Sequence, residues 1–450
     1  MQWQHPVLTA ISALALALPA QAAMNLIEIY NAARVQEPGL AAARAATDAE
    51  RERLPMAQSQ FYPNVSANFS QTNNQLSSTT SNFFGNETTT ETNYPSRSKS
   101  LVMRQPLYRP QIWSQYRQAQ SQVRDAEAVL VQEEQNLAVR VTSAYFDALL
   151  ARDQLQLVTT AQTQLQTQLD AARKIFASGA GIRTDVDEAL ARLDMNHAQR
   201  LEAQQNVAYT LQQLQAMIDQ PIDQIATLDE ARFVPIAPAD TLQTWIDRAN
   251  AYNPQLQALQ ERLESTRLEI SKAGAGHLPS LDAVAQWSDS LSESVTNLST
   301  RYINRSIGLQ LSMPIFAGGY VNAAVRQALA NTARAEKILE ASRREVAGRV
   351  HQEYRAVTES VAKIQALGLA LQSAGQMLSS TQKSFLAGSR TLIDIANAQQ
   401  QTRVVLRDLA QARYMHLISK VRLLALVGDA DVAAVAAVNH VLKADDGPGL

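Results

Sequence analysis

Acidic residues placed shortly after a glycine turn are the groups in this chain best placed to do chemistry, and they occur twice. Gly-Ala-Gly-Ile-Arg-Thr-Asp stands at 179–185, and Gly-Ser-Arg-Thr-Leu-Ile-Asp at 388–394. Gly179 and Gly388 fit turns that need a positive φ. Asp185 and Asp394 fit the first turn of a returning helix, where a carboxylate caps orphan N–H groups. They equally fit carboxylates displayed at a turn to meet passing ions. The residues by themselves support both readings.

Other titratable groups point to no reaction. Asp185, Asp187 and Glu188 cluster, but a catalytic carboxylate pair needs a dry pocket and none is indicated. Glu133-Glu134 and Arg343-Arg344 read as exposed helix faces. The six histidines (5, 197, 277, 351, 416 and 440) show no ligand spacing, and there is no cysteine. A disulfide framework, a thiolate metal site and a cysteine nucleophile are thereby excluded. No nucleophile elbow or phosphate loop is present. The expectation is a protein that is not an enzyme, without metal or cofactor. A net charge of −2 over 450 residues gives no basic face for nucleic acid.

The elements that must hold the two turns are themselves duplicated. Glu37-Pro38 and Tyr62-Pro63 return as Asn253-Pro254 and Leu278-Pro279, an offset of 216 positions (254 − 38 and 279 − 63). Phe176, Gly179, Asp185 and Ala189 return as Phe385, Gly388, Asp394 and Ala398, offset by 209 (385 − 176 and 394 − 185). A period this long is a duplicated half-protein, not a solenoid of short repeats.

Residues 1–22 read as a secretory signal: an apolar stretch at 7–18, Pro19, then Ala20-Gln21-Ala22 as a small-x-small site, though no Lys or Arg precedes Val7. The first repeat is expected over 23–228. It opens with a helix over about 25–60 kinked near Pro38 and Pro55, followed by strands near 62–71 and 98–108 and a helical hairpin over 110–228. The polar stretch 71–98, rich in Thr, Asn and Ser, reads as a loop. Residues 229–240 read as a linker. The second repeat is expected over 241–428, with strands near 278–288 and 303–316 and a hairpin over 319–428. Residues 429–450 read as a peripheral, partly disordered tail.

The strands alternate strictly. Val65, Ala67 and Phe69 oppose Asn64, Ser66 and Asn68; Leu281, Ala283, Ala285 and Trp287 oppose Ser280, Asp282, Val284, Gln286 and Ser288; Ile307, Leu309, Leu311 and Met313 oppose Ser306, Gly308 and Gln310. Such alternation over about 10 residues is the pattern of a transmembrane β-strand. Pro63, Pro106, Pro279 and Pro314 punctuate the strand ends, and Tyr62, Tyr108 and Phe316 stand there as an interfacial aromatic belt would.

The helices carry a heptad-like seam. Leu130, Leu137, Val141, Ala144, Ala148, Ala151, Leu155, Val158, Gln162, Leu165, Leu169, Ala172 and Phe176 follow in steps of seven, four and three, the 3.5-residue repeat of coiled-coil packing. At 1.5 Å per residue the helix that bears it is roughly 100 Å long. Four membrane strands cannot close a barrel, and an open sheet edge in lipid costs several kcal/mol for each unpaired group. Copies of the chain must therefore complete it: two would give eight strands, three would give twelve and room for a pore.

In this pattern of paired turns, proline-entered strands and doubled helical hairpins, the chain resembles the TolC family of trimeric outer-membrane export ducts of Gram-negative bacteria. The likeness covers nearly the whole chain after the signal. It implies a mainly α protein with a β-barrel part: long antiparallel coiled-coil hairpins forming an α-barrel, and four transmembrane strands per chain making a twelve-stranded barrel in the homotrimer. It also implies an outer-membrane location with the helical part in the periplasm. The expected partners are outer-membrane lipid, a periplasmic adaptor and an inner-membrane ABC or proton-driven pump. With no cysteine to acylate, the chain resembles the non-lipidated branch.

The resemblance also assigns the turns. Asp394 corresponds to a gate carboxylate, three of which would ring the axis; the second acidic position is Asn397 here, which weakens cation binding. The family's latch, an Arg meeting the Thr-Asp of a neighbouring hairpin, maps to Arg390 with Thr184 and Asp185. An assisting Tyr is Phe385 here, so its hydroxyl contact is missing. Gly179, Gly181, Ile182, Arg183, Gly388, Ser389 and Thr391 are the expected adaptor-contacting tips. The competing reading is a soluble periplasmic coiled-coil scaffold, which gives the strands no reason to alternate. Cargo and pump identity are not written in a water-filled tunnel.

Overall fold

The computed structural model describes residues 23–292 and 299–443. The signal expected over 1–22 and the final residues 444–450 lie outside them. In chain order the elements are α1 (Leu26–Gln36), α2 (Pro38–Arg51), α3 (Arg53–Ser59), β1 (Asn64–Ser81), β2 (Glu87–Tyr108), α4 (Pro110–Ala177), α5 (Arg183–Ile218) and β3 (Thr227–Leu228). Then come α6 (Leu242–Tyr252), α7 (Pro254–Gly274), β4 (Ser280–Leu291), β5 (Arg301–Ser312), α8 (Tyr320–Leu386), α9 (Leu392–Leu426), α10 (Val432–Asn439) and β6 (Leu442–Lys443). The duplication is visible in the lengths: helices of 68 and 36 residues in the first repeat, 67 and 35 in the second.

Two compact units divide the chain. One gathers the described residues of Met1–Ala41, Glu134–Ile246 and Arg349–Leu450, the other those of Ala42–Glu133 and Asp247–Gly348.

In the first unit the coiled-coil seam forms over most of its expected length; Val158 and Gln162 are only half-buried and Phe176, beside the turn, is exposed. Leu137, Val141, Ala148, Ala151, Leu155, Leu165, Leu169 and Ala172 of α4 are all buried. Ala151 and Leu155 pack with Val207 and Ala203 of α5, and Leu165 and Leu169 with Leu193 and Ala189. Each step toward the α4 C-terminus meets a step back along α5, which fixes the pair as antiparallel. The many alanines let the backbones approach closely.

Aromatic packing anchors the same unit. Tyr145 meets Phe146 edge to face at 5.7 Å, and Phe146 stacks on Tyr414 at 5.4 Å. The Tyr145 hydroxyl donates to the Ala226 carbonyl at 2.7 Å, and burial pushes its pKa up. Tyr145→Phe leaves that carbonyl without its partner, so a loss of about 1–3 kcal/mol in unfolding free energy is expected, measurable by denaturant titration in detergent. An unchanged midpoint would show that the bond contributes nothing.

The α1–α2 boundary falls at Glu37, because the residue before Pro38 is driven to an extended conformation. Glu37 turns this to use: its carboxylate accepts from Leu40 N at 2.6 Å and so caps α2.

Three expectations need correction. The stretch 71–98 is not a loop. It extends β1 and β2 to a turn at 82–86, in which Asn82 Oδ1 accepts from Phe84 N and Asn86 N, and Gly85 has φ +81°. Threonine favours strands, but with both faces wetted there is no apolar alternation to reveal them. The first hairpin stops at Ile218, where Asp219 adopts a left-handed φ of 51°; the chain then runs on to β3. The tail through 443 is packed: Val435 and Val438 of α10 are buried, Ala430 N donates to Gln135 Oε1 at 2.7 Å, and β6 pairs with β3.

In the second unit the sheet order is β1-β2-β4-β5, every pair antiparallel. Pro63 and Pro279 immediately precede β1 and β4, and the register of β2 shifts at Pro106, which has no N–H to give the ladder. Pro95 sits inside β2 without harm, since it lies beyond Arg97↔Leu291, the last pair with β4, and has only Asn73 opposite.

Candidate pore-forming sheet and helical tips

Register assigns each face of the sheet. One face carries the rows Ala67-Leu101-Trp287-Arg305, Val65-Met103-Ala285-Ile307 and, further along, Ala283-Leu309 and Leu281-Leu311. The other carries Asn64-Arg104-Val284-Gly308 and Ser66-Val102-Gln286-Ser306. The apolar face is uncovered in the chain by itself: Ile307 is 86% exposed, Leu309 70% and Leu311 69%. Tyr62, Tyr108, Trp113 and Phe316 are exposed at one end of the strands, and β1 and β5 each leave one edge unpaired. Among the described residues no helix is long and apolar enough to cross a membrane.

The helical tips, both in the first unit, are two copies of one turn. Gly179 has φ +75° and Gly388 φ +77°. Gly179 N donates to Phe176 O and Ala180 N to Ile175 O; Gly388 N donates to Phe385 O and Ser389 N to Ser384 O. This is the Schellman closure of a helix C-terminus. Gly181 has a further reason: a Cβ there would meet Ile175 Cγ2 at 2.9 Å and Phe176 N at 3.2 Å.

After the turns the copies diverge. Thr391 is the N-cap of α9 and Asp394 closes a capping box with it, Thr391 Oγ1 accepting from Asp394 N at 3.2 Å and Asp394 Oδ2 accepting from Thr391 N at 2.9 Å. The Thr391 backbone N–H, then the Thr391 hydroxyl donating to Asp394 Oδ2 at 3.0 Å, with the Arg390 guanidinium adding to them, hold the Asp394 carboxyl below the usual carboxylate range. In the first copy Ile182 takes the cap position and offers no acceptor, so Asp185 is left out of any such box. The capping expectation thus describes Asp394 and not Asp185.

Arg390 lies 3.7 Å from Asp394 of its own turn, not against Thr184 or Asp185. Thr184, Ile182, Arg183, Gly388, Ser389 and Thr391 are exposed, and Phe385 is half-buried. Asp185 lines a narrow gap with Glu188, Arg192, Leu392, Ile393 and Ala396, so the two hairpins of one chain lie side by side at their tips. Arg192 spans them: its guanidinium donates to Glu188 Oε1 at 2.7 Å and to Asn397 Oδ1 at 3.4 Å. The i,i+4 spacing from Glu188 to Arg192 was legible in sequence; the partner 205 residues away was not. Gln168 donates to Gln399 at 2.8 Å across the same seam.

Three of the histidines have structural roles. His197 bonds Gln162, His277 bonds Asn322, and buried His416 bonds Ser360, with burial holding its pKa low. No group of three His, Asp or Glu positioned to hold a metal occurs among the described residues.

A two-faced membrane sheet joined to doubled helical hairpins defines an outer-membrane channel protein. Comparison with known proteins agrees. The model of the outer membrane efflux protein family matches residues 29–219 and 245–429. The alkaline protease secretion protein AprF of Pseudomonas aeruginosa is 30% identical over 421 residues, covering 92% of this chain and 87% of its own. The proteases secretion protein PrtF of Dickeya chrysanthemi is 29% identical, covering 88% and 86%, and the outer membrane protein TolC of Vibrio cholerae is 28% identical, covering 94% of each. Among solved structures, CusC superposes with a TM-score of 0.75 at 17% identity over 95% of this chain and 98% of that one. VceC of Vibrio cholerae gives 0.74 at 17% over 90% and 96%; these two show the fold. The chain belongs to the outer membrane efflux protein family. It is an export channel protein of the Gram-negative outer membrane, with its helical part in the periplasm.

Proposed function

We propose that three copies of the chain assemble into one twelve-stranded barrel continued by an α-helical tunnel. The assembly serves as the exit duct of a tripartite exporter, with a periplasmic adaptor and an inner-membrane pump. The observation that carries this is the sheet: an uncovered apolar face, a polar face behind it and two open edges. Lipid can cover the first, water the second, and only further copies of the same sheet the third. Polar lumen residues as small as Ser66, Ser306 and Gly308 favour the wider, open barrel. The names of AprF and PrtF support protein secretion as the export task. Asp394 ionised at the tip supplies the cation-selecting charge. Arg390, only loosely held by its own turn, is free to latch onto Thr184 and Asp185 of a neighbouring chain.

The test is direct. Protein extracted from outer membranes should run as a trimer that resists dissociation in SDS until heated, and should give discrete ion-conducting steps in a planar bilayer. A detergent-independent monomer with no current would overturn the reading.

A further inference from the structure

At the end of the sheet that carries Asn64 and Arg104, a cavity of about 260 Å³ opens between the strands and the start of α4. Its polar lining is two arginines, Arg104 and Arg109, with the amides of Gln60, Asn64, Gln111 and Gln115 and the Tyr62 phenol, all able to donate, and no carboxylate among the lining residues. Both arginines of the lining face the carboxylate of buried Asp282, and it is already committed. Arg109 grips both of its oxygens, Nε to Oδ1 at 2.8 Å and Nη2 to Oδ2. Arg104 stands 3.9 Å from the same carboxylate, beyond hydrogen-bond reach. Two guanidiniums thus share one carboxylate, which leaves a net positive charge, and Arg104, the more loosely paired, is half-exposed on the polar face of the sheet. The side-chain amides of Gln60, Gln111 and Gln115 make no other hydrogen bond among the described residues, so they too are available to a ligand. Two guanidiniums and three amides around a wet cavity are the donor set that binds planar or tetrahedral oxyanions.

We propose that this cavity is an anion-binding site for carboxylate or phosphate groups, with Arg104 as the residue that holds the anion. It rests on the reading of the sheet's polar face as the lumen. In a threefold assembly the site becomes a cationic collar where the helical tunnel passes into the barrel. An acidic polypeptide would be handed along it carboxylate by carboxylate, and a phosphate would occupy it as a block.

Current block in planar bilayers tests this on the full-length channel. Hexaglutamate, inorganic pyrophosphate and hexalysine are the probes, each added in turn at low and at high salt. Hexaglutamate or pyrophosphate should reduce the wild-type current, more strongly at low salt. Arg104→Gln should raise the blocking concentration about tenfold, the loss of one charge-assisted contact. Arg104→Lys should keep most of the block. Hexaglutamate acting alone assigns the site to polypeptide carboxylates, and pyrophosphate acting alone to phosphate. Equal block of wild type and Arg104→Gln, or hexalysine acting as well as the anions, would overturn the site. A preparation that conducts nothing would instead count against the channel itself.

Discussion

Leu309→Arg should abolish the proposed heat-modifiable trimer, whereas a change at the adjacent residue, Gly308→Ser, should leave it intact. Leu309 lies on the apolar face, opposite Ala283 and in line with Leu311, and is exposed in the isolated chain. An arginine facing lipid near the bilayer midplane costs about 2–4 kcal/mol. A trimer repeats it three times, roughly 6–12 kcal/mol in all, comparable with the whole stability of an ordinary domain. Gly308 points to the other face, where a Cβ would meet nothing within 4 Å. The pair is read by SDS gels with and without boiling and by the outer-membrane fraction. If Leu309→Arg assembles like wild type, the apolar face is not in lipid.

The second large effect concerns the tip. Asp394 has two roles that a single truncation confounds: it closes the capping box with Thr391, and it carries charge. Asp394→Asn keeps an oxygen able to accept from Thr391 N–H but removes the charge, while Asp394→Ala removes both. Both should lower cation preference, seen as a reversal potential moving toward zero in a salt gradient; only the alanine variant should loosen the start of α9. The pH dependence has a definite sign. Because the carboxyl is held below its ordinary value of 3.8, the cap and the proposed selectivity are fully present above that value. They are lost as pH falls through the lowered pKa. On the proposed latch, Arg390→Glu should raise single-channel conductance, since a carboxylate would then meet Asp185 of the neighbouring chain. A reversal potential indifferent to Asp394→Asn would eliminate the charge ring, whatever the helix does.

Legibility followed from which elements have two unlike sides. The α4 seam from Leu137 to Ala172 could be read because each apolar residue recurs on one stripe, and the structure buries that stripe except at Val158 and Gln162, which are half-buried. Strands β4 and β5 could be read because Leu281 to Trp287 and Ile307 to Leu311 alternate between lipid-like and polar neighbours. The upper parts of β1 and β2 could not. Pairs such as Thr79 with Thr89 and Asn74 with Ser96 are hydroxyl and amide on either side, bonded to each other at 2.9 Å. Their local composition is that of a loop. The tail was missed for the opposite reason: Val435 and Val438 sit in a segment apolar throughout, which shows no face until Gln135 and β3 supply one. At the tips the glycines and Asp394 were legible as local chemistry, but Arg192 with Asn397 joins residues that only the folded hairpins bring together.

The β1–β2 ribbon runs on for ten pairs, Thr72↔Ser96 to Ser81↔Glu87, past the last contact of β2 with β4, about 34 Å at the usual rise per residue. Because that stretch has no greasy side to keep aligned, a slip in pairing there buries nothing wrongly and exposes nothing new. Matched trimming or extension of its two arms would leave every row nearer α4 undisturbed. The portion of the sheet farthest from α4 is thus the portion with the greatest licence to vary in sequence and length.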